Sequence, residues 1–142
     1  MVNFLLKQVA DTYSFTVSDL ISYDKHGKKP EARRMFVFCL AQLYQFDTKK
    51  IPEITNEINR SRAVYYRSIS SMTFEVAHYK LVRNKYSKIK ITMVEYLENV
   101  IAELKSWLAN NPCFDAAIRE EKLLRLADNE ETLEYINNLK IS

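Results

Sequence analysis

A chain of 142 residues, 47% hydrophobic and 27% charged, is long enough for one folded core, or one core with a helical appendage, and is not a disordered polymer. A single glycine (Gly27) and three prolines exclude sheets built on tight hairpins and glycine-rich phosphate loops. The net charge of +3 hides an asymmetry: residues 1–59 carry +1, residues 60–90 carry eight Lys/Arg against Glu75 alone (+7), and residues 91–142 carry −5.

In chain order, Asn3 can cap a first helix reaching about Tyr13, with Leu5, Val9 and Tyr13 on one face. Thr16 or Ser18 starts a short helix holding Val17, Leu20 and Ile21. A basic loop, SYDKHGKKPEARR, contains the only glycine. Pro30 suits the first turn of a third helix, to about Gln45, whose MFVFCLAQLY core is apolar nearly all round and therefore central. Thr92-Met-Val-Glu95 has the form of a capping box before another helix, whose Leu97, Ile101, Leu104 and Leu108 make one stripe. Asn110-Asn111-Pro112 stops it, and two further helices are expected at about Phe114–Leu126 and Glu130–Lys140. An all-α fold follows, with domains at 1–90 and 91–142.

Between these lies the segment IPEITNEINRSRAVYYRSI, residues 51–69. It reads as a helix, a turn and a second helix, the helix-turn-helix that places its second helix in the DNA major groove. Ile54 and Ile58 share a face of the first helix, Asn59 tolerates the left-handed turn, and Ser61 can cap the second. Tyr65, Ile69, Met72, Val76 and Tyr79 form its apolar stripe. Ala63, Tyr66, Arg67 and Ser70 lie opposite, with Arg60 and Arg62 leading. The competing reading is an ordinary amphipathic hairpin with a solvated Arg face. The basic block of residues 60–90, with Tyr65, Tyr66, Tyr79 and Tyr86 among its cations, favours phosphate contact.

The order VADTYSFTVSDLIS, basic loop, RRMFVFCLAQLYQF, IPEI and helix-turn-helix resembles the C-terminal DNA-binding domain of the bacterial replication initiator DnaA, over about residues 1–80. The resemblance rests on Val9-Ala10, Tyr13, Asp19-Leu20, Ser22, Arg33, Met35 and Ile51-Pro52-Glu53-Ile54. It implies an all-helical domain of the Trp-repressor type. Lys25, Lys28, Lys29, Arg33 and Arg34 would then meet the phosphate backbone and minor groove. Arg60, Ser61, Arg62, Ala63, Tyr66 and Arg67 would form the recognition end. The family's signature of a basic residue, Asp-His and two small hydroxyl residues is replaced by Asn59–Val64, which implies a different recognised sequence. No counterpart of the family's ATPase module is present, so ATP hydrolysis is not expected.

No enzyme is expected. His26 and His78 are isolated, His78 reading as a surface pair with Glu75, and neither histidine nor the cysteines have zinc spacing. Glu120-Glu121 and Glu130-Glu131 are adjacent on helices and do not converge. Cys39 belongs to the core and Cys113 to a loop or helix start. The absence of a disulfide framework, the polar start of the chain and the lack of a run of about 20 apolar residues make a reduced, cytoplasmic, non-membrane protein the expectation. The expected partner is double-stranded DNA, with no metal or cofactor. A homodimer or a protein partner would be held through residues 91–142. The alternative is a helical structural or interaction module, such as an adaptor or virion component, rather than a regulator or replication accessory of a phage or mobile element.

Overall fold

The third helix is apolar nearly all round, and the computed structural model places it where that pattern requires, at the centre of a helical unit. The structure describes residues 2–22, 25–45 and 62–139, without the side chains of residues 62–64. Six helices are present among the described residues: α1 (Val2–Thr12), α2 (Val17–Ile21), α3 (Lys29–Leu43), α4 (Arg62–His78), α5 (Lys80–Asn110) and α6 (Ala116–Asn138). Among the described residues there is no strand, so the fold is all-α. No helix is long and apolar enough to cross a membrane among these residues.

The chain divides into two compact units, one of residues up to Ile91 and one of Thr92–Leu139. In the first, eleven of the fifteen α3 residues are buried. Leu5, Leu6, Val9 and Ala10 of α1 and Leu20 of α2 are buried as well. Tyr65, Met72 and Val76 of α4 join them. The start of α5 is tied to α3 by Tyr86, whose hydroxyl donates to Gln42 Oε1 at 2.9 Å while its ring meets Phe38 edge-on at 5.3 Å.

Local signals set the first elements. Thr16 closes a reciprocal capping box with Asp19 at the start of α2, satisfying two otherwise orphaned amides. Pro30 lies in the first turn of α3, where its missing N–H is harmless. Gly27, at φ +59, supplies a left-handed residue just before that helix.

The second unit is a helical hairpin of the later part of α5 and α6. Its turn is fixed by Asp115, whose Oδ1 accepts from the amides of Ala117 (2.9 Å) and Ile118 (3.3 Å). Arg119 Nη1 reaches back to the carbonyls of Leu108 (3.0 Å) and Asn111, holding the start of α6 against the end of α5. Lys122 Nζ lies 4.7 Å over the Trp107 ring, which also meets Phe114 edge-on. The stripe of Leu97, Ile101, Leu104 and Leu108 is buried.

Three expectations are corrected. Thr92–Glu95 starts no helix, because α5 runs unbroken from Lys80 to Asn110. Neither glycine nor proline occurs in that span, and Val82, Tyr86, Ile89, Met93 and Leu97 continue one buried stripe through it. The two C-terminal helices are one, α6: the Asn129 side chain donates to the carbonyl of Arg125 (2.7 Å) and is accommodated within the helix. Tyr79 leaves the apolar stripe and is 52% exposed, because it sits at the interruption between α4 and α5.

Candidate nucleic-acid interface

The orientation of α4 follows from what it buries. Tyr65, Ser68, Met72 and Val76 face inward on the unit whose centre is α3. Helical geometry then turns Tyr66, Arg67, Ser70, Ser71, Phe74 and His78 outward, and all six are exposed. The first helix and turn of the expected helix-turn-helix, with Arg60 and Ser61, lie outside the described residues. Arg62 and Ala63 belong to the first turn of α4.

Glu75 decides the charge of this surface. It is the one carboxylate between residues 60 and 90. Arg34 of α3 engages it through two contacts, Nη2 to Oε1 at 3.0 Å and Nε to Oε2 at 3.3 Å, with both side chains mostly buried. A paired guanidinium and carboxylate of this fork geometry compensate each other. The exposed face of α4 and the start of α5 therefore present cations without an exposed acid among the described residues: Arg67, Lys80, Arg83 and Lys88.

The helix break at Tyr79 is stabilised by one of these cations. Arg83 donates from Nε to the carbonyl of Val76 (3.0 Å) and from Nη2 to that of Ala77 (2.6 Å), acceptors at the end of α4. A cation there also complements the negative end of the helix dipole. Beside the break, Phe74 and His78 stack with ring centroids 4.1 Å apart and planes 12° apart, and Tyr79 meets Phe74 edge-on at 6.0 Å.

The expected backbone-contacting cations separate into two groups. Lys25 and Lys28 are exposed, Lys28 lying 3.6 Å from Glu31. Lys29 Nζ is 3.9 Å from Asp19. Arg33 turns inward, donating to the carbonyls of Leu20 (2.7 Å) and Asp19 (3.2 Å) at the end of α2 and lying 3.4 Å from Ser22 Oγ. Arg34 is held by Glu75. Arg33 and Arg34 thus have scaffold contacts that the sequence pattern did not reveal. Lys85, counted within the basic block, is also drawn inward: its Nζ is 3.8 Å from Glu31 and 4.2 Å over the Tyr13 ring.

Tyr65 and Tyr86 are buried, whereas Tyr66 and Tyr79 are exposed. The pairing of His78 with Glu75 is corrected, because Glu75 faces Arg34 and His78 stacks on Phe74, its Nδ1 lying 3.0 Å from the Phe74 carbonyl. The sequence reading passed over Phe74. Its signal was the spacing of Arg67, Ser70, Phe74 and His78, which puts a phenylalanine on the polar face.

Cys39 is fully buried and Cys113 exposed, both as free thiols, and burial pushes the Cys39 thiol upward. Among the described residues no cluster of three or more His, Cys, Asp or Glu side chains is placed to hold a metal. No protein-family model, curated protein or solved structure matches the chain.

Proposed function

We propose that the unit ending at Ile91 is a non-enzymatic DNA-binding module, with α4 as the helix that meets DNA and the surrounding cations as its phosphate contacts. The observation that carries this reading is the withdrawal of Glu75 into its pair with Arg34, which leaves the exposed face of α4 and the start of α5 purely cationic among the described residues. A surface of one sign attracts the DNA backbone and releases counterions on binding. Arg67, Ser70 and Tyr66 on that face supply a guanidinium and hydroxyls of the kind that contact base edges and phosphates. The helix-turn-helix spacing of residues 51–69 and the DnaA-like order of the preceding elements support the same reading, as part of the proposal. A role in phage or mobile-element replication or transcription, in the cytoplasm, is the setting that resemblance suggests.

Lys25 and Lys28 remain the backbone contacts of choice in the basic loop, since both are exposed. Salt-titrated binding to random duplex DNA tests the proposal. Affinity should fall steeply with salt, by about 0.9 in the log–log slope for each phosphate neutralised. Arg67→Ala should reduce that slope by about one if Arg67 meets a phosphate, or relax base preference if it meets a base edge. Binding that is absent at low salt, or insensitive to salt, overturns the reading.

A further inference from the structure

We propose that Phe74, His78 and Tyr79 form a stacking platform for an unpaired nucleobase, so that the basic unit binds single-stranded DNA across the end of α4. This inference rests on the DNA-binding reading and specifies which form of the ligand this part of the surface takes.

Three observations converge on it. The first is exposure: Phe74 is 53% and Tyr79 52% exposed, so both rings are open to a ligand. The second is order. Phe74 and His78 already stand as a column of two nearly parallel rings, the arrangement to which a base adds as a third. Tyr79 meets Phe74 edge-on, the favourable T-shaped arrangement. The third is charge. Arg83 lies at the adjoining carbonyls of Val76 and Ala77, Lys80 follows Tyr79 in sequence, and Arg67 lies on the same face of α4, seven residues or roughly 10 Å before Phe74. Aromatic faces flanked by cations are the combination that single-stranded nucleic acid requires, phosphates following the cations and bases lying on the rings.

A duplex does not satisfy the ring faces at the end of α4. Its base faces are covered by their neighbours, so a protein reaches only edges, methyl groups and phosphates. A flat pair of exposed rings finds its complement where a base face is free. Apolar protein contact is a weaker match, because Lys80 and Arg83 would have to be brought into that interface together with the rings.

The test is fluorescence anisotropy on the full chain with two labelled probes of about fifteen nucleotides, an oligothymidylate and a mixed-sequence duplex. Wild-type protein should bind both. Phe74→Ala should weaken oligothymidylate binding about tenfold, as expected for loss of one stacked base, and leave duplex binding within about twofold. Phe74→Tyr, which keeps the ring, should retain binding. Circular dichroism should show Phe74→Ala folded, since the side chain is exposed. Binding of the duplex alone overturns this inference and leaves the DNA-binding reading intact. Equal losses for both probes also overturn it, and binding of neither probe removes both. Concentration-dependent self-association abolished by Phe74→Ala, without oligothymidylate binding, would assign the rings to protein contact and overturn the proposal.

Discussion

The two units are both built from helices, yet they reach stability by different means. The unit ending at Ile91 wraps neighbours around one helix, α3, whose Phe36, Val37, Cys39, Leu40 and Ala41 are completely buried. The hairpin of Thr92–Leu139 has no such centre, and each of its helices hides one stripe. Its burial is deepest at Leu97 and Ile136, both 0% exposed, while Leu123 and Leu124 of α6 stand 50% and 63% exposed. Charge divides the same way: residues 1–91 carry sixteen Lys/Arg and eight Asp/Glu, and residues 92–139 carry four and ten. A helix that must be covered on all sides forces a multi-helix assembly, whereas a one-stripe helix is satisfied by a single neighbour and leaves most of its surface to solvent.

The largest expected effect tests that contrast directly. Phe36→Ala removes a fully buried ring from the α3 centre and should lower unfolding free energy by about 3–5 kcal/mol. Leu104→Ala acts on a stripe residue of the hairpin that is 6% exposed and should cost about 2 kcal/mol, the low end for this substitution. Urea midpoints measured by far-ultraviolet circular dichroism, together with fluorescence of Trp107, the single tryptophan, read both. Equal costs would break the contrast and show that the hairpin core is as tightly held as the α3 core.

Much of this architecture was legible because it is periodic. The all-round apolar run Met35–Tyr44, the cap at Thr16 and the stop at Asn110-Asn111-Pro112 are local signals, and local signals survive translation into structure. Structure and expectation part where a local signal meets a stronger periodic one. Thr92 and Glu95 have the right spacing for a capping box, but the buried stripe from Val82 to Leu108 continues through them and keeps the helix intact. The gap expected at residues 127–129, between helices at about Phe114–Leu126 and Glu130–Lys140, is likewise absorbed by α6. The candidate site was legible as composition and not as geometry. Counting Lys and Arg gives the basic block, but only tertiary packing reveals that Arg34 is held by Glu75, that Arg33 holds the end of α2, and that Lys85 leans on Tyr13. Long cationic side chains reach partners far away in sequence, and no spacing rule encodes those partners.

An intermediate effect comes from titration, and it sharpens the contrast by acting most strongly on the α3-centred unit. Burial, followed by the neighbouring Tyr66, pushes the Tyr65 hydroxyl up to about 12. Burial, followed by the negative charge of Glu31, pushes Tyr13 upward as well. In the unfolded chain both titrate near 10. Below pH 10 both states are protonated and no stability is lost. Between pH 10 and 12 the unfolded chain releases the Tyr65 proton while the folded chain keeps it, so stability falls as pH rises. The linkage slope is about 1.4 kcal/mol per pH unit for each such group, giving a loss on the order of 2 kcal/mol for Tyr65 by pH 12. Urea midpoints from pH 9 to 12 should show this alkaline limb. Tyr65→Phe should make it shallower, leaving the contributions of Tyr13, Tyr44 and Tyr135, whose hydroxyls burial also pushes upward, and an unchanged slope would assign the limb to other groups.

The smallest expected effect concerns backbone strain, which the structure also places in one unit. Among the described residues the positive-φ positions are Ser14, Gly27 and Gln45, all before Ile91. Ser14, at φ 60, follows α1 in a closing turn where the amide of Phe15 donates to Ala10 (2.8 Å) and that of Ser14 to Asp11 (3.2 Å). That pair of bonds satisfies the last carbonyls of the helix and requires a left-handed residue, at which a Cβ costs roughly 1–2 kcal/mol. Ser14→Gly removes the clash but gives the unfolded chain more freedom, worth about 0.4–1 kcal/mol, so the net gain should be about 0.5–1 kcal/mol. Gly27→Ala is the reciprocal change. An added Cβ there meets nothing within 4 Å, so any loss is backbone strain alone, and it should be of similar size and opposite sign. Thermal unfolding of the two variants should displace Tm in opposite directions, and equal signs would mean that packing around these turns, rather than the φ angle, sets their cost.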